Sequence, residues 1–488
     1  MTREYNVFNA RDSFFIDGGW AAPKGTETIT IINPSTEEVI GRTPEGTKAD
    51  VDAAVAAARR ALEDPSGWGG YTPQQRADAL HSLADELDAR QGEIASAVSS
   101  QNGMPISVSS QLETNYPSAV LRYYAGLAAS AETEERRPGF LGMGDTLVQR
   151  SPIGVVAAIV PWNFPQALTA WKIGPALAAG CTIVLKPSPE TVLDAYLLAD
   201  AVTAAGIPPG TVNIVPAGRT VGAYLVSHPG VDKVTFTGST AAGRSIGETC
   251  GRLLRPVTLE LGGKSAALFL DDVDLDLTKI GEALFTACLL NNGQTCFLNS
   301  RILAPRSRYD EVVDAVSTLA GSMTVGDALD PATQIGPMST AAHRDRVEGY
   351  IAKGKAEGAR VTVGGGRPAE RTRGWFVEPT VFADVDNSST IAQEEIFGPV
   401  LSVIAYENDE DAVRIANESD YGLGGSVWTA DSQRGQAIAR RVRTGTIGVN
   451  RYLPDMAAPF GGVKASGVGR ELGPEALAAH WEIKSIYV

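Results

Sequence analysis

The sequence predicts an α/β protein with largely parallel sheets, and two stretches of alternating strands and helices support that prediction. One stretch runs from Ile153 to Cys250, and the other occupies about residues 262–465. Alternation of this kind favours parallel strands with helices on both faces of the sheet. The length of 488 residues corresponds to roughly three folding units, so it leaves room for both stretches.

Ahead of the first stretch, the chain predicts short extended segments followed by two helices. Phe14–Ile16 and Ile29–Ile32 are interpreted as edge strands, because Gly and Pro interrupt the chain beside them. Ala49–Glu63 and Pro73–Arg90 are expected to be helical, since leucines recur at helix spacing in the second. These segments indicate core packing and no chemistry.

The first stretch predicts several strands whose carboxyl ends meet at one crevice. Its predicted elements are the strands Gly154–Val160, Thr182–Leu185, Val212–Val215 and Lys233–Phe236 and the helices Ala167–Ala179, Val192–Ala205 and Ala241–Cys250. Ligands of such sheets bind beyond the carboxyl ends of the strands. Pro161–Asn163, Lys186–Ser188 and Thr237–Ser239 follow three of these strands, so we expect a ligand crevice there.

The second stretch predicts a separate α/β domain, and two other segments predict exposed strands. Its expected elements are the strands Ala266–Leu270, Arg301–Ala304 and Val400–Tyr406 and the helix Tyr309–Leu319. The polar segment 128–149 and the tail that ends at Val488 are interpreted as exposed strands that pair between subunits.

Composition limits the partners and the compartment. Asp and Glu number 57 against 42 Lys and Arg, and the net charge of −15 disfavours nucleic acid and anionic membranes as partners. The four cysteines lack CxxC spacing and the four histidines lie far apart, so we expect neither disulfides nor a metal site. Residues 1–6 lack an apolar signal core, and no run approaches the roughly 18 apolar residues of a membrane span. A cytoplasmic protein is therefore predicted.

A cysteine and a glutamate point to covalent chemistry on a carbonyl carbon. Cys296 closes the segment Asn292–Cys296, and Glu260 opens the segment Glu260–Lys264. A thiolate attacks an electrophilic carbon, and a nearby carboxylate can activate the water that releases the acyl group. Taken singly, each residue is more typical of packing or of a solvated surface.

Residues at the strand ends each allow a binding role and a simpler one. Gly238 and Ser239 precede a helix, where free N–H groups suit a phosphate, but a plain N-cap explains the pattern about as well. Lys186 and Glu190 could hold ribose hydroxyls or form a surface salt bridge. Asn163 could donate to an oxyanion or serve as a turn residue.

Seven motifs together indicate a family. In chain order they are Pro161–Pro165, Lys186–Ser188, Phe236–Ser239, Glu260–Lys264, Gly293–Cys296, Glu395–Pro399 and Pro459–Gly462. With these motifs in this order, the sequence resembles the NAD(P)-dependent aldehyde dehydrogenase superfamily. The resemblance implies a homo-oligomer whose subunit is divided into a Rossmann-like dinucleotide-binding domain at 1–127 and 150–261, an α/β catalytic domain at 262–465, and a small β oligomerisation arm and tail at 128–149 and 466–488.

The resemblance also implies the reaction, the oxidation of an aldehyde to a carboxylic acid. Cys296 would attack the aldehyde carbon, and the Asn163 amide and the Cys296 N–H would stabilise the oxyanion of the thiohemiacetal. After hydride transfer to the nicotinamide, Glu260 would activate the water that hydrolyses the thioester.

The cofactor implied by the resemblance is NAD. The implied contacts are Lys186, Glu190 and Glu395 to ribose hydroxyls, Gly238 and Ser239 to the pyrophosphate, Phe397 beside the nicotinamide, and Pro161 and Trp162 along the cleft. NAD-preferring relatives often carry Glu three positions after the lysine, where this chain has Pro189 followed by Glu190. NADP therefore stays open as an alternative.

The implied substrate tunnel is mostly apolar, which suits a medium-chain, aromatic or terpenoid aldehyde. Its implied lining is Phe164, Leu168, Trp171, Thr295, Phe297 and Phe460. Arg451, in a nearby loop, could instead attract an anionic substrate or be solvated.

Three other functions fit parts of the pattern. A dehydrogenase that transfers the acyl group to coenzyme A needs no base for water, so Glu260 argues against it. A cysteine-dependent esterase or thioesterase would need the thiol and a base but no dinucleotide. A non-catalytic scaffold would need none of Cys296, Glu260, Asn163 and Lys186.

Overall fold

The computed structural model describes residues 11–142 and 144–488, so the segment 1–6 discussed above lies outside the described residues. The strands of this part are β1 Phe14–Ile16, β2 Gly19–Ala21, β3 Thr28–Asn33, β4 Glu38–Pro44, β5 Glu134–Pro138, β6 Asp145–Pro152, β7 Val155–Ile159, β8 Thr182–Lys186, β9 Val212–Ile214, β10 Lys233–Thr237, β11 Val257–Glu260, β12 Ala266–Phe269, β13 Arg301–Pro305, β14 Arg360–Val363, β15 Thr380–Ala383, β16 Val400–Tyr406, β17 Gly425–Trp428, β18 Gly448–Val449, β19 Gly467–Val468 and β20 Trp481–Tyr487.

Helices connect most of the parallel strands. They are α1 Lys48–Glu63, α2 Pro73–Asp88, α3 Gln91–Asn102, α4 Ile106–Ser110, α5 Tyr116–Ala129, α6 Pro165–Ala179, α7 Leu193–Ala204, α8 Arg219–Ser227, α9 Thr240–Arg252, α10 Leu277–Cys288, α11 Tyr309–Gly321, α12 Ala341–Ala356, α13 Thr390–Gln393, α14 Asp409–Asn417, α15 Ser432–Ala439 and α16 Gly473–Ala478. A π-helical turn, Gln111–Asn115, separates α4 from α5.

The first sheet brings the predicted strand ends to one edge. Its order is β19-β11-β10-β7-β8-β9-β1-β2, and the pairings among β7 to β11 are parallel. Every residue of β7, β8 and β10 is buried, as expected of apolar strands covered by helices on both faces. The chain runs outward from β7 to β9 on one side and places β10 and β11 on the other. A ligand crevice is expected where the strand order reverses in this way, between the ends of β7 and β10.

The second sheet has the order β14-β15-β16-β13-β12-β17-β18. Its strands pair in parallel except for β14, which runs antiparallel to β15. Helix α10 ends at Cys288, shortly before the cysteine motif. The loop with Cys296 therefore connects α10 to β13 of this sheet.

The segment 128–149 and the tail contribute to a third, three-stranded sheet. Its order is β20-β6-β5, and both pairings are antiparallel. Nearly every residue of β20 is exposed, including Ile483 at 67% and Tyr487 at 83%. This sheet leaves apolar side chains uncovered on the single chain.

Most predicted elements of the first alternating stretch agree with the structure to within two residues at each end. One expectation was wrong: Phe14–Ile16 is no edge strand, because β1 pairs with both β2 and β9 and all its residues are buried. Pairing with β2 extends the sheet beyond β1, so β2 forms the edge instead. Within the described residues, no helix is long and apolar enough to cross a membrane.

Candidate active site

Two cavities meet at Cys296. One has a volume of about 610 Å³, and the other has a volume of about 720 Å³ on the side of the parallel sheet's crevice. Cys296, Asn163 and Thr237 belong to the walls of both. Reactants bound on the two sides would therefore meet at Cys296. We call the first the apolar cavity and the second the cleft.

A rigid turn holds Cys296 in place. Asn291 and Asn292 adopt left-handed backbone conformations, at φ 52° and 61°, which Asn tolerates better than most residues. The Asn292 amide donates to Gly103 O at 2.8 Å and to Pro337 O at 3.0 Å. Burial raises the pKa of the Cys296 thiol, and nearby carboxylates raise it further. In this state the thiol is protonated, so a base must take its proton before it can attack.

The Glu260 carboxylate has no fixed hydrogen-bond partner among the described residues. It ends β11, is 2% exposed, and within the described residues neither of its carboxylate oxygens accepts a hydrogen bond. Burial raises the pKa of Glu260 well above its usual value, with the Glu471 carboxylate adding to the effect. A Cβ atom at Gly461, where φ is +154°, would lie 2.5 Å from Glu260 Oε1. A missing side chain thus makes room for the carboxylate.

Asn163 contributes to the walls of both cavities. It lies between β7 and α6 and is 3% exposed. Its side-chain amide donates to Gln294 O at 3.0 Å, and its carbonyl accepts from Asn291 Nδ2 at 2.9 Å. An amide group carries two N–H bonds, so a second donor is available for an oxyanion.

A buried ion pair lies beside Glu260, and sequence reasoning missed it. Lys172 Nζ contacts the Glu471 carboxylate and donates to Thr237 Oγ1 at 2.6 Å. Thr235 Oγ1 donates to the same carboxylate at 3.0 Å. The sequence signal for this pair was the lysine in the otherwise uncharged helix α6, all of whose residues are buried. A buried charge requires a partner of opposite charge.

Main-chain geometry shapes the cleft on the β11 side. Glu395 Oε1 accepts from Gly263 N–H at 2.9 Å, and a Cβ at Gly262 would lie 2.5 Å from Glu395 Oε2. Burial raises the pKa of Glu395 to about 7. Ser239 begins α9 as its N-cap and accepts from Ala242 N–H at 3.3 Å. The N-cap alternative is therefore observed, and the helix N-terminus still faces the cleft beside Gly238.

Aromatic rings form the opposite wall of the cleft. Trp162 meets Phe397 edge to face at a centroid distance of 5.5 Å and meets His343 at 5.3 Å. Phe397 has φ 63°, and its carbonyl lies 2.6 Å from His343 Nε2. Arg346 donates to Glu395 O at 2.7 Å. His343 and Arg346 were missed because nothing in the sequence near α12 links them to the motifs.

The remaining residues that were predicted to bind the cofactor lie at different depths. Pro161 lines the cleft, whereas Lys186 and Glu190 lie outside its lining, at and beyond the end of β8. Lys186 is buried and donates to Pro187 O and Ala217 O, both at 2.8 Å, and burial lowers its pKa to about 8. Glu190 accepts from Ser188 Oγ. The surface salt bridge considered for Lys186 and Glu190 does not form in the described structure.

The apolar cavity collects all six predicted tunnel residues. They are Phe164, Leu168, Trp171, Thr295, Phe297 and Phe460, joined by Leu112, Tyr116, Ala167, Leu290, Leu453 and Pro454. Helix α6 starts with Pro165 at its first position and so presents Leu168 and Trp171, one turn apart, to the cavity. Arg451 is exposed and does not line this wall. The cavity is suited to an apolar ligand.

Comparison with known proteins identifies the family. The family model "Aldehyde dehydrogenase family" matches residues 20–486. Geranial dehydrogenase of Castellaniella defragrans is 57% identical over 474 residues, which are 97% of this chain and 98% of the relative. Human mitochondrial aldehyde dehydrogenase is 40% identical over 480 residues, which are 98% of this chain and 92% of the human protein.

Solved structures agree with the sequence comparison. Mycobacterium tuberculosis aldehyde dehydrogenase complexed with NAD+ matches with a TM-score of 0.95 and 46% identity, over 98% of both chains. A mutant of aldehyde dehydrogenase C from Pseudomonas syringae, complexed with NAD+ and octanal, matches with a TM-score of 0.93 and 38% identity, over 100% of this chain and 98% of that one. This chain belongs to the aldehyde dehydrogenase family. The predictions of an α/β fold with a Rossmann-like part and of an aldehyde dehydrogenase are confirmed.

Proposed function

We propose that the enzyme oxidises an apolar aldehyde to the carboxylic acid with NAD as the oxidant, and that Cys296, Glu260 and Asn163 carry the chemistry. The observation that supports this most is the position of Cys296 in the walls of both cavities. The aldehyde enters from the apolar cavity, and the cleft takes the nicotinamide end of the cofactor. When bound, NAD accepts the hydride from the substrate carbon.

Each of the three residues has one task. Cys296 adds to the aldehyde carbon once its proton has left, and the free N–H of Asn163 stabilises the oxyanion of the thiohemiacetal. Loss of hydride leaves a thioester on Cys296. Glu260 has unpaired carboxylate oxygens and a raised pKa, which suit a base that takes a proton from water. Attack of that water releases the acid and restores the thiol.

The cleft fits a dinucleotide. The N-terminus of α9 at Gly238 and Ser239 presents N–H groups to a pyrophosphate, and Glu395 presents a carboxylate to ribose hydroxyls. Phe397, Trp162 and Pro161 wall the nicotinamide side, where His343 and Arg346 also contribute. Lys186 and Glu190 contact the adenosine ribose beyond the cleft. NAD is favoured over NADP because Glu190 would repel a 2′-phosphate.

The substrate is a medium-chain, aromatic or terpenoid aldehyde. Nine aromatic or leucine side chains line the cavity, and among the described residues no Lys, Arg or His does. The 57% identical relative is named for geranial, and one structural relative was solved with octanal. Both names agree with an apolar tunnel.

The three parts of the chain have different roles. Residues 1–127 and 150–261 form the dinucleotide-binding domain, 262–465 the catalytic domain, and 128–149 with 466–488 the arm and tail. The exposed apolar residues of the arm support homo-oligomerisation, since uncovered apolar strands favour contact with a second copy. The four cysteines are unpaired, which agrees with a cytoplasmic enzyme.

A spectrophotometric screen tests the proposal. Purified enzyme is mixed with octanal, benzaldehyde or geranial and with NAD or NADP, and the reduced nicotinamide is followed at its absorption band. We expect reduction of NAD by at least one of these aldehydes without coenzyme A. Reduction that requires coenzyme A, or none with any aldehyde and either cofactor, would contradict the proposal.

A further inference from the structure

A third cavity also has Cys296 in its wall. It has a volume of about 300 Å³, and Glu395, Thr295 and Ser300 give it polar groups that can hold a water molecule. Glu395 lines the cleft as well, whereas Glu260 lines the apolar cavity and neither of the other two. Cys296 therefore shares one cavity with Glu260 and two others with Glu395.

Two glycines allow the loops of Cys296 and Glu395 to meet. A Cβ at Gly293, where φ is +76°, would clash with the peptide that joins Gly398 to Pro399. A Cβ at Gly263 would lie 2.5 Å from Cys296 O, and the Gly263 N–H donates to Glu395 Oε1 at 2.9 Å. Gly263 thus contacts both residues through its backbone, which holds the carboxylate beside the cysteine loop.

The second carboxylate oxygen of Glu395 is free to accept a proton. Within the described residues it accepts no hydrogen bond, and Arg346 binds the main-chain carbonyl of Glu395 instead. Burial is the largest cause of the raised pKa of the Cys296 thiol, and Glu395 adds more to the effect than Glu260 does. Because Coulomb interactions weaken with distance and with hydration, Glu395 is the carboxylate that interacts more strongly with the thiol.

The protonation of Glu395 changes near neutral pH. Burial raises the pKa of Glu395 to about 7, while the Gly263 N–H, Arg346 and Lys264 favour the carboxylate. A carboxylate with such a pKa is a stronger base than an ordinary glutamate. The other charged or titratable groups that face Glu395 or Cys296 are Lys264, Arg346, Tyr421, Glu260 and Tyr452. Burial raises the pKa of both tyrosines, so they stay neutral.

We propose that Glu395 takes the proton of the Cys296 thiol before the aldehyde binds, and that Glu260 acts on water alone. This role deepens the proposed aldehyde oxidation and depends on it. The S–H bond breaks, its electron pair stays on sulfur as the thiolate, and the proton passes through water in the third cavity to Glu395 Oε2. Glu395 then releases this proton to solvent in the cleft, so its carboxylate is again available to ribose hydroxyls.

Alkylation of the free enzyme by iodoacetamide tests this role without aldehyde or NAD. The neutral probe reacts with the thiolate, and Cys296 alone among the four cysteines is partly exposed. Tandem mass spectrometry locates the modification, because Cys288 lies in the same tryptic peptide. In the native enzyme we expect the alkylation rate to rise as pH increases through about 7, where Glu395 ionises and becomes able to accept the proton. A rise only at the pH where an ordinary thiol ionises would contradict the role, and this measurement needs no variant.

Variants give opposite results for a base and for a charge that only repels the thiolate. If Glu395 only repelled the thiolate, Glu395→Gln would lower the pKa of the thiol and speed up alkylation. If Glu395 is the proton acceptor, alkylation in Glu395→Gln at about pH 8 should be slower by about 10-fold or more. Glu260→Gln, which removes the other nearby carboxylate, is the matched control and should not slow alkylation.

Lys264 requires a separate control, because burial lowers its pKa to about 7 as well. In Lys264→Met the rise of alkylation with pH should persist. Loss of the rise in that variant, unchanged or faster alkylation in Glu395→Gln, or an equal loss in Glu260→Gln would overturn the inference. Alkylation reports on the thiol alone, whereas failure of the aldehyde screen would refute the proposed function, so the two failures are distinguishable.

Discussion

The cleft and the apolar cavity share Cys296 but are built in different ways. The cleft depends on the backbone, through the missing side chains of Gly262 and Gly263, the helix N-terminus at Ser239 and the left-handed Phe397. The apolar cavity depends on side chains that pack from distant segments. Backbone geometry tolerates little change, whereas packed side chains can be exchanged for others of similar volume. Changes in the cleft should therefore remove activity, and changes in the cavity should alter substrate choice.

The shared residue gives the largest expected effect. Cys296→Ala removes the nucleophile from both sides and should lower kcat by at least about 1,000-fold. Affinity for NAD, measured by isothermal titration calorimetry, should stay nearly unchanged. Cys250→Ala, a buried cysteine in α9, is the matched control and should retain turnover. Near-native kcat in Cys296→Ala would show that the two cavities do not meet at the nucleophile.

The second effect concerns Glu260, the proposed base. Glu260→Gln should permit acylation but slow release by about 100-fold or more, so stopped-flow traces should show a burst of reduced cofactor. Glu260 is protonated below its raised pKa, so the native rate of release should rise as pH increases through that pKa. This rise should be absent in the variant. A variant with no burst and an unchanged pH profile would exclude Glu260 from release.

A smaller effect is expected from the cleft. Gly262→Ala places a Cβ at 2.5 Å from Glu395 Oε2, so the carboxylate must move and the KM for NAD should rise by about 10-fold. In the control Gly247→Ala the new Cβ makes an ordinary contact of 3.5 Å with Leu259. Equal KM values for the two variants would show that the cleft is less dependent on its backbone than we infer.

The smallest effect is expected from the apolar cavity. Phe460→Leu shortens one wall and should change kcat/KM for long and short aldehydes by about 3- to 10-fold relative to each other. The KM for NAD should be unaffected, because Phe460 does not line the cleft. Steady-state kinetics with hexanal and decanal measures the ratio. Equal changes in kcat/KM for the two aldehydes, together with a changed KM for NAD, would contradict the separate roles of the two cavities.

Sequence reasoning predicted the parts of the site that depend on short segments. The strands before Pro161 and Gly238 were predicted because their apolar runs are short and end in recognisable turns, whereas the strand that ends at Glu260 was not predicted. All six tunnel residues line the apolar cavity, although their contact with substrate stays a prediction. Pairing of β1 with β9 was not predictable, because an isolated short strand carries no signal about its neighbours.

Interactions between distant residues could not be predicted. Lys172 and Glu471 are 299 positions apart, and only the fold brings them together beside Glu260. His343 and Arg346 reach the cleft from α12, a helix whose polar residues look like an ordinary exposed face in the sequence. Such contacts depend on tertiary packing, which no local pattern encodes.

Phe460 and Gly461 are neighbours in the chain, yet they contact different parts of the candidate active site. Phe460 lines the apolar cavity, and Gly461 leaves the space that the Glu260 carboxylate occupies. Directed evolution of this enzyme toward new aldehydes can therefore randomise position 460. The same library must keep position 461 as glycine, because any larger residue would inactivate clones whose altered tunnel was otherwise useful.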